Sequence, residues 1–475
     1  MLNGAIYMRR ELLIRLVRAF DDGSLRAELD HIPVKLRPKD QLASRCCIYH
    51  DRAVLKYRLM ALLGVAPEEE TDETKPLAAY YDDLVARVGA TLDAHAPPPD
   101  AAAAQPRPPL SVCGCACSAC PDAKIVSTPN CRGCFSRPCT FTCPKKAITV
   151  VRGQSVIDAA KCIKCGKCIT ACPYHAIVRT TVPCEDACPV GAIHKNEQGV
   201  AEIDFAKCIY CGKCFEACPF SAVMERSQLL EVLLAMQRGE HLVAMVAPAA
   251  DRQFPGTIEQ LLAACMKAGF ADVLEVALGA ELTTEHETKE FVERMAADPK
   301  ALMTTSCCPA YVNFVRKHLP AFLPHVSTTP SPMVYAKQLA REKDPAAKTV
   351  FIGPCVAKRG EAREKGVDYV LSFEELGALL AGRKIDVMAC APWPVPRPAA
   401  VTARNFARSC GVTEAVLAEA TKTIPGFTLK AKQISGIDKK TAALLRVYGM
   451  GKLPENFIEV MACPGGCVNG PCSLK

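Results

Sequence analysis

Twenty-nine cysteines in a chain of 475 residues are the side chains most able to do chemistry here, and most of them fall into patterns. The unit Cys-x-x-x-Cys-Pro-x-x-Ala-(Ile/Val) occurs four times, its second cysteine being Cys143, Cys172, Cys188 and Cys218, at intervals of 29, 16 and 30 residues. Three copies are preceded by Cys-x-x-Cys: Cys131/Cys134, Cys162/Cys165 and Cys208/Cys211. Such spacing lets one loop present three thiolates to the corners of a 4Fe-4S cubane, while the cysteine before proline serves a partner cubane. A zinc site asks for two separated pairs of ligands, which a close-set quartet ending in Cys-Pro does not supply.

The runs CIKCGKCITACP and CIYCGKCFEACP are complete ferredoxin signatures, and the paired intervals suit two tandem bacterial-ferredoxin modules. The crossover rule then groups Cys131, Cys134 and Cys139 with Cys172, and Cys162, Cys165 and Cys168 with Cys143. In the second module Cys208, Cys211 and Cys214 take Cys188, leaving Cys184 and Cys218 short of a pair. The upstream Cys117-x-x-Cys120, followed by Pro121, completes a fourth cubane on this reading. The other reading is that Cys113, Cys115, Cys117 and Cys120 form a different site or a cysteine-rich loop. The region is expected to be an electron wire between a redox centre and an electron carrier.

Three further segments place cysteine beside proline or glycine at expected strand ends: Thr305–Pro309 (TSCCP), Gly353–Lys358 (GPCVAK) and Glu459–Cys467 (EVMACPGGC). Burial as a small apolar side chain accounts for lone cysteines such as Cys265, Cys390 and Cys410. It accounts poorly for Cys307–Cys308 or for Cys463-x-x-x-Cys467, so a buried metal site built from distant loops is expected.

These three segments resemble the signature loops of the iron-only (FeFe) hydrogenases, and with the ferredoxin modules the resemblance covers about 360 residues. The run Arg45-Cys46-Cys47-Ile48-Tyr49 resembles a subgroup with non-standard loops. The resemblance implies reversible oxidation of dihydrogen at an H-cluster, a cubane linked to a two-iron unit bearing carbon monoxide, cyanide and a bridging azadithiolate. It implies that Cys308, Cys355, Cys463 and Cys467 hold the cubane, Cys467 bridging to the two-iron unit. It makes Cys307 a proton-donating thiol, Glu287, Glu290 and Ser327 a proton relay, and Lys358 the cation beside cyanide; Pro248 and Met461 join Lys358 around the cofactor. Taken alone, the two glutamates of EHETKEFVER would read as a solvated helix face. Implied partners are a ferredoxin or flavodoxin and the proteins that mature the H-cluster.

Three departures stand out against that family: Tyr311 in place of tryptophan, Gly353 in place of methionine, and Pro471-Cys472 in place of glycines. Gly353 is expected to leave room near the two-iron unit. The rival readings are an iron–sulfur assembly factor of the same family, a hydrogen sensor, and a plain electron-transfer subunit. Cys307 and the Glu287/Glu290/Ser327 set argue against the first, since such factors generally lack the proton-donating cysteine.

The elements that must position these residues form a multi-domain chain. Residues 1–92 are expected to be helical, with Leu12, Leu13, Leu16, Val17 and Phe20 on one face. Residues 93–112 read as a Pro/Ala-rich linker, and residues 113–226 as tandem ferredoxin-like α+β modules. Residues 227–475 alternate strand-like runs (LVAMVAPA, ADVLEVAL, ALMTTS, TVFIGPC, DYVLSF) with helical ones, as in an α/β domain with largely parallel sheets. Cys46–Cys47 reads equally as a redox or metal site and as a buried structural pair.

The formal charge of +8 does not imply nucleic acid, because each cubane held by four thiolates adds roughly −2 and no basic run is interleaved with aromatics. No stretch is apolar and long enough to span a bilayer, and Arg9–Arg10 is not followed by the apolar run of an export signal. A cytoplasmic protein is expected, where cysteines bind metals rather than pair.

Overall fold

The computed structural model describes residues 4–40, 47–72, 74–90, 108–117, 120, 124–424, 427, 429–452 and 454–474. Cys46 and most of the expected linker lie outside these residues.

The helix Gly4–Asp21 forms where the apolar face was expected: Leu12, Leu13, Leu16 and Val17 are buried. They do not build a core of their own. They belong to one apolar cluster with the strand Leu242–Val246 and the helix Phe373–Gly382, against which the first helix packs. Gly382 marks the closeness of that contact, since a Cβ there would stand 2.5 Å from Val17 Cγ1. The contact also carries buried charge. Arg9 bonds Glu225 at 2.9 Å and also pairs with Glu374, while Arg359 bonds Glu375 at 2.6 Å and Glu225 at 3.4 Å. Helix, ferredoxin region and C-terminal domain thus meet in one ionic cluster.

The expected linker ends sooner than residue 112. Leu110–Val112 is a buried strand, paired antiparallel with Val223–Glu225. Backbone N–H groups that a linker would leave to water are used to close the ferredoxin region at its far end.

Three antiparallel hairpin-like pairs frame the ferredoxin modules: Lys124–Ser127 with Ile177–Thr180, Ile148–Val151 with Gln154–Ile157, and Ile193–Lys195 with Ala201–Ile203. The four sequence repeats share one local geometry. In each, the alanine four residues after the Cys-Pro cysteine donates its N–H to that sulfur: Ala147 to Cys143 at 3.3 Å, Ala176 to Cys172 at 3.4 Å, Ala192 to Cys188 at 3.2 Å and Ala222 to Cys218 at 3.3 Å. The residue just before each alanine (Lys146, His175, Gly191, Ser221) is left-handed. Within the Cys-x-x-Cys loops, Gly133, Lys164 and Tyr210 are left-handed too. Five of these seven residues are not glycine and carry steric strain that only a fixed loop sustains.

The C-terminal domain holds two parallel sheets. One has four strands in the order Asp272–Glu275, Leu242–Val246, Lys348–Ile352, Tyr369–Leu371; the other has Met303–Thr304, Phe457–Met461 and Ala431–Ser435. Strands so buried read as apolar runs, which is why LVAMV and TVFI were legible. The run ADVLEVAL is strand only to Glu275; Val276 begins the helix Val276–Ala297. No helix among the described residues is long and apolar enough to cross a membrane.

Candidate active site

The carboxyl ends of the parallel strands converge on one cavity, the usual place for a site in open α/β sheets. Ala247 and Pro248 follow Leu242–Val246, Cys307 and Cys308 follow Met303–Thr304, Cys355 follows Lys348–Ile352, and Cys463 and Cys467 follow Phe457–Met461. All five cysteines line this cavity, together with Pro248, Lys358 and Met461. Every residue expected around the catalytic cofactor is therefore gathered there, except the relay residues, which lead away from it.

Gly353 does not leave the room expected of it. A Cβ on Gly353 would stand 2.7 Å from Phe351 Cε1 and 3.2 Å from Ala247 Cβ, and Phe351 itself lines the cavity. The phenyl ring takes the space that a longer side chain at 353 would have filled. Tyr311 is fully buried, and its hydroxyl meets Thr304 Oγ1 at 2.7 Å, so the phenol keeps a polar partner.

Lys358 is buried against the cavity. Its ammonium donates to Glu361 Oε2 at 2.6 Å, Ser331 Oγ at 2.8 Å and the Cys307 carbonyl at 3.5 Å. Burial works against its charge, but Glu361 outweighs that and raises its pKa, so it stays an ammonium.

Glu287 and Glu290 lie on the inward face of the helix Val276–Ala297. Glu287 is wholly buried, and neither carboxyl oxygen has a hydrogen-bond partner; the Ser306 backbone and Ser327 hydroxyl approach it without closing a bond. Burial, with Glu290 adding repulsion, pushes its pKa up to about 8. Ser327 Oγ donates to Glu290 Oε2 at 2.7 Å, and Arg294 bonds Glu290 Oε1 at 2.6 Å. Side-chain exposure climbs outward along this file, from 0% at Glu287 to 16% at Glu290 and 23% at Arg294. At its inner end, burial and the charge of Glu287 push the Cys307 thiol well up, so it holds its proton. Arg294 was not singled out from sequence, although its position four residues after Glu290 is the helical ion-pair spacing.

The accessory cysteines gather in the quartets expected from the crossover rule and from the pairing of Cys117 and Cys120 with Cys184 and Cys218. Cys131, Cys134, Cys139 and Cys172 line one cavity; Cys143, Cys162, Cys165 and Cys168 line a second; Cys117, Cys120, Cys184 and Cys218 line a third. Cys188, Cys208, Cys211 and Cys214 lie within electrostatic reach of one another, and burial pushes the Cys208 thiol up to about 11. Among the described residues no three cysteine, histidine or carboxylate groups converge closely enough for a single metal ion. Quartets that surround a cavity without closing on a point suit a cluster several ångströms across. Buried thiols with raised pKa values, such as Cys355 at about 11, fit the same donor set, because iron binding is what would make them thiolates. Cys211 lines the cavity at the strand ends as well, so the second ferredoxin module abuts it.

Residues 240–471 match the family "Iron only hydrogenase large subunit, C-terminal domain", residues 155–177 a 4Fe-4S binding domain and residues 179–222 a 4Fe-4S dicluster domain. Residues 240–471 belong to the iron-only hydrogenase family. The chain is 31% identical over 263 residues to the periplasmic [Fe] hydrogenase large subunit of Nitratidesulfovibrio vulgaris, covering 45% of this chain and 62% of that one. It is 26% identical over 374 residues to iron hydrogenase 1 of Clostridium pasteurianum, covering 66% and 64%. The cytosolic Fe-S cluster assembly factor narfl of Danio rerio is 27% identical over 270 residues, covering 44% and 64%. The chain thus spans less than two thirds of the length of these curated relatives. A solved FeFe-hydrogenase structure aligns at 23% identity with a TM-score of 0.44, covering 52% of this chain and 85% of that chain.

Proposed function

We propose that this iron-only hydrogenase relative catalyses reversible oxidation of dihydrogen, passing electrons through four accessory cubanes to an acidic ferredoxin or flavodoxin in the cytoplasm. The observation that carries the reading is a file of protonatable groups, Cys307, Glu287, Ser327 and Glu290, leading outward from a cavity lined by four further cysteines. Cys308, Cys355, Cys463 and Cys467 would hold the catalytic cubane and the two-iron unit joined to it; maturation proteins would install that unit. When bound, the cofactor supplies the electrons and the place where protons and dihydrogen interconvert.

The chain's own part is to move protons and exclude water. Cys307 Sγ holds a proton at the cavity wall and gives it up or regains it with each turnover. Glu287, titrating near neutrality, refills the thiol and is refilled through the Ser327 hydroxyl, which can donate while accepting. Glu290, ionised and tied to Arg294, exchanges with solvent. Lys358 holds a fixed positive charge at the cavity wall, which would stabilise an anionic cofactor there.

Charge supports the electron partner. Residues 131–180 hold nine lysines and arginines against Asp158 alone, a formal +8 that two cubanes would reduce to about +4. Phe135, Phe141, Ile163 and Tyr174 are exposed on the same module. Exposed apolar side chains on a module of one charge sign would suit docking of an acidic partner near the clusters.

Assembly factors among the relatives supply the second reading. Infrared spectroscopy of maturated protein separates the two: bound carbon monoxide and cyanide bands with hydrogen uptake or evolution support the enzyme, and a full complement of cubanes with neither supports the factor.

A further inference from the structure

Cys113 and Cys115 line none of the cysteine cavities and are left over by the ligand groupings. Both are free thiols, and their sulfurs stand 3.3 Å apart. Cys113 is fully buried and anchored, its N–H donating to the Ala222 carbonyl at 2.7 Å; Cys115 is partly exposed. A partly exposed cysteine with a second sulfur in contact behind it is the arrangement of an attacking thiol and a resolving thiol.

We propose that Cys113 and Cys115 are a dithiol–disulfide site, oxidised by low-molecular-weight disulfides. Cys115 sulfur attacks one sulfur of the small disulfide, forming a mixed disulfide and releasing one small thiol that carries away the Cys115 proton. Cys113 sulfur then attacks the Cys115 sulfur, forming the internal bond and releasing the second small thiol with the Cys113 proton. Two protein thiols are oxidised and one small disulfide is reduced. Closing the bond to about 2.05 Å asks the sulfurs to approach by roughly 1.2 Å, within reach of side-chain rotation. The bridge would fasten the turn Gly114–Cys117, which presents Cys117 to its cavity.

The test treats holoprotein anaerobically with oxidised glutathione, removes iron under denaturing conditions, alkylates and digests. The peptide holding Cys113, Cys115, Cys117 and Cys120 is expected to take two alkyl groups, and four after reduction, with fragmentation placing the protected pair at Cys113 and Cys115. The Cys113→Ser variant is expected to retain its iron and to trap a glutathione adduct on Cys115. Four alkyl groups after glutathione treatment overturn the proposal. Loss of iron in Cys113→Ser overturns it as well, by making Cys113 a cluster ligand.

Discussion

Ser327 donates its hydroxyl hydrogen to Glu290 Oε2 across 2.7 Å, while Glu287, one helical turn before Glu290, keeps both carboxyl oxygens free of hydrogen bonds. The relay is thus tight at its outer end and open at its inner end. Glu287→Gln and Glu290→Gln are each expected to lower hydrogen turnover by about 10²–10⁴-fold, since an amide cannot pass a proton by losing charge. Iron content and infrared bands should match the parent; a variant turning over at the parent rate would place proton delivery elsewhere.

Glu287 also makes stability depend on pH. Its folded pKa of about 8 lies above the ordinary value of 4.5, so the folded state binds more protons between those limits. Stability contributed by the neutral carboxyl is present below pH 4.5 and is lost as pH rises through 8. Glu287→Gln stays neutral, so its thermal midpoint should fall less than the parent's between pH 5 and 8.5. Parallel melting curves for the two across that range would contradict the assignment of this group.

Cys307 and Cys308 are neighbours with different proposed tasks. Cys308→Ala is expected to lose the catalytic cubane, about four irons. Cys307→Ala is expected to keep the iron and the infrared bands while losing turnover by about 10²–10⁴-fold, with Cys307→Asp restoring part of it. Iron analysis and hydrogen assays on the same samples separate the outcomes. The same analysis tests the accessory count: reconstituted protein without the two-iron unit should hold about twenty irons, and Cys184→Ala about sixteen.

Charge reversal tests the electron partner. Lys145→Glu with Lys146→Glu, both exposed on the first ferredoxin module, should lower kcat/KM for an acidic ferredoxin about tenfold at low salt and flatten its salt dependence. Activity with a small viologen dye should not change. Equal losses with both donors would mean that the clusters, not the docking, were damaged.

Arg9→Met leaves Glu374 and Glu225 buried without their shared cation, although Arg10 and Arg359 still reach them. Breaking a buried pair from one side costs about 3–5 kcal/mol, and the remaining arginines place this case toward the lower end. Denaturant unfolding at fixed iron content measures it.

The cysteine groupings were legible because metal ligation imposes spacing on sequence: two cavities hold quartets that the crossover rule named, and a third holds the quartet that Cys117 and Cys120 complete with Cys184 and Cys218. Parallel strands showed as apolar runs for the same reason that a two-sided burial demands them. What stayed hidden depended on contacts between distant residues. Phe351 fills the space beside Gly353 from two residues away on the strand, which no reading of residue 353 alone can find. The strand Leu110–Val112 is too short to signal itself and exists because Val223–Glu225 pairs with it. Burial of the first helix against Phe373–Gly382 joins residues some 360 positions apart, and a helical pattern shows only that a face is apolar, never what covers it.

Gly212 follows Cys211, and a Cβ on it would stand 2.6 Å from Pro471 Cγ and 3.2 Å from Val356 Cγ2. The loop of the second ferredoxin module is therefore seated directly on the tail and on the signature loop that carries Cys355. Electron tunnelling weakens steeply with every ångström of separation, so on the proposed function the pyrrolidine ring would act as a shim between the ferredoxin module and the third loop. Pro471-Cys472, a departure from the family's glycines, would make the tail a gauge of that distance.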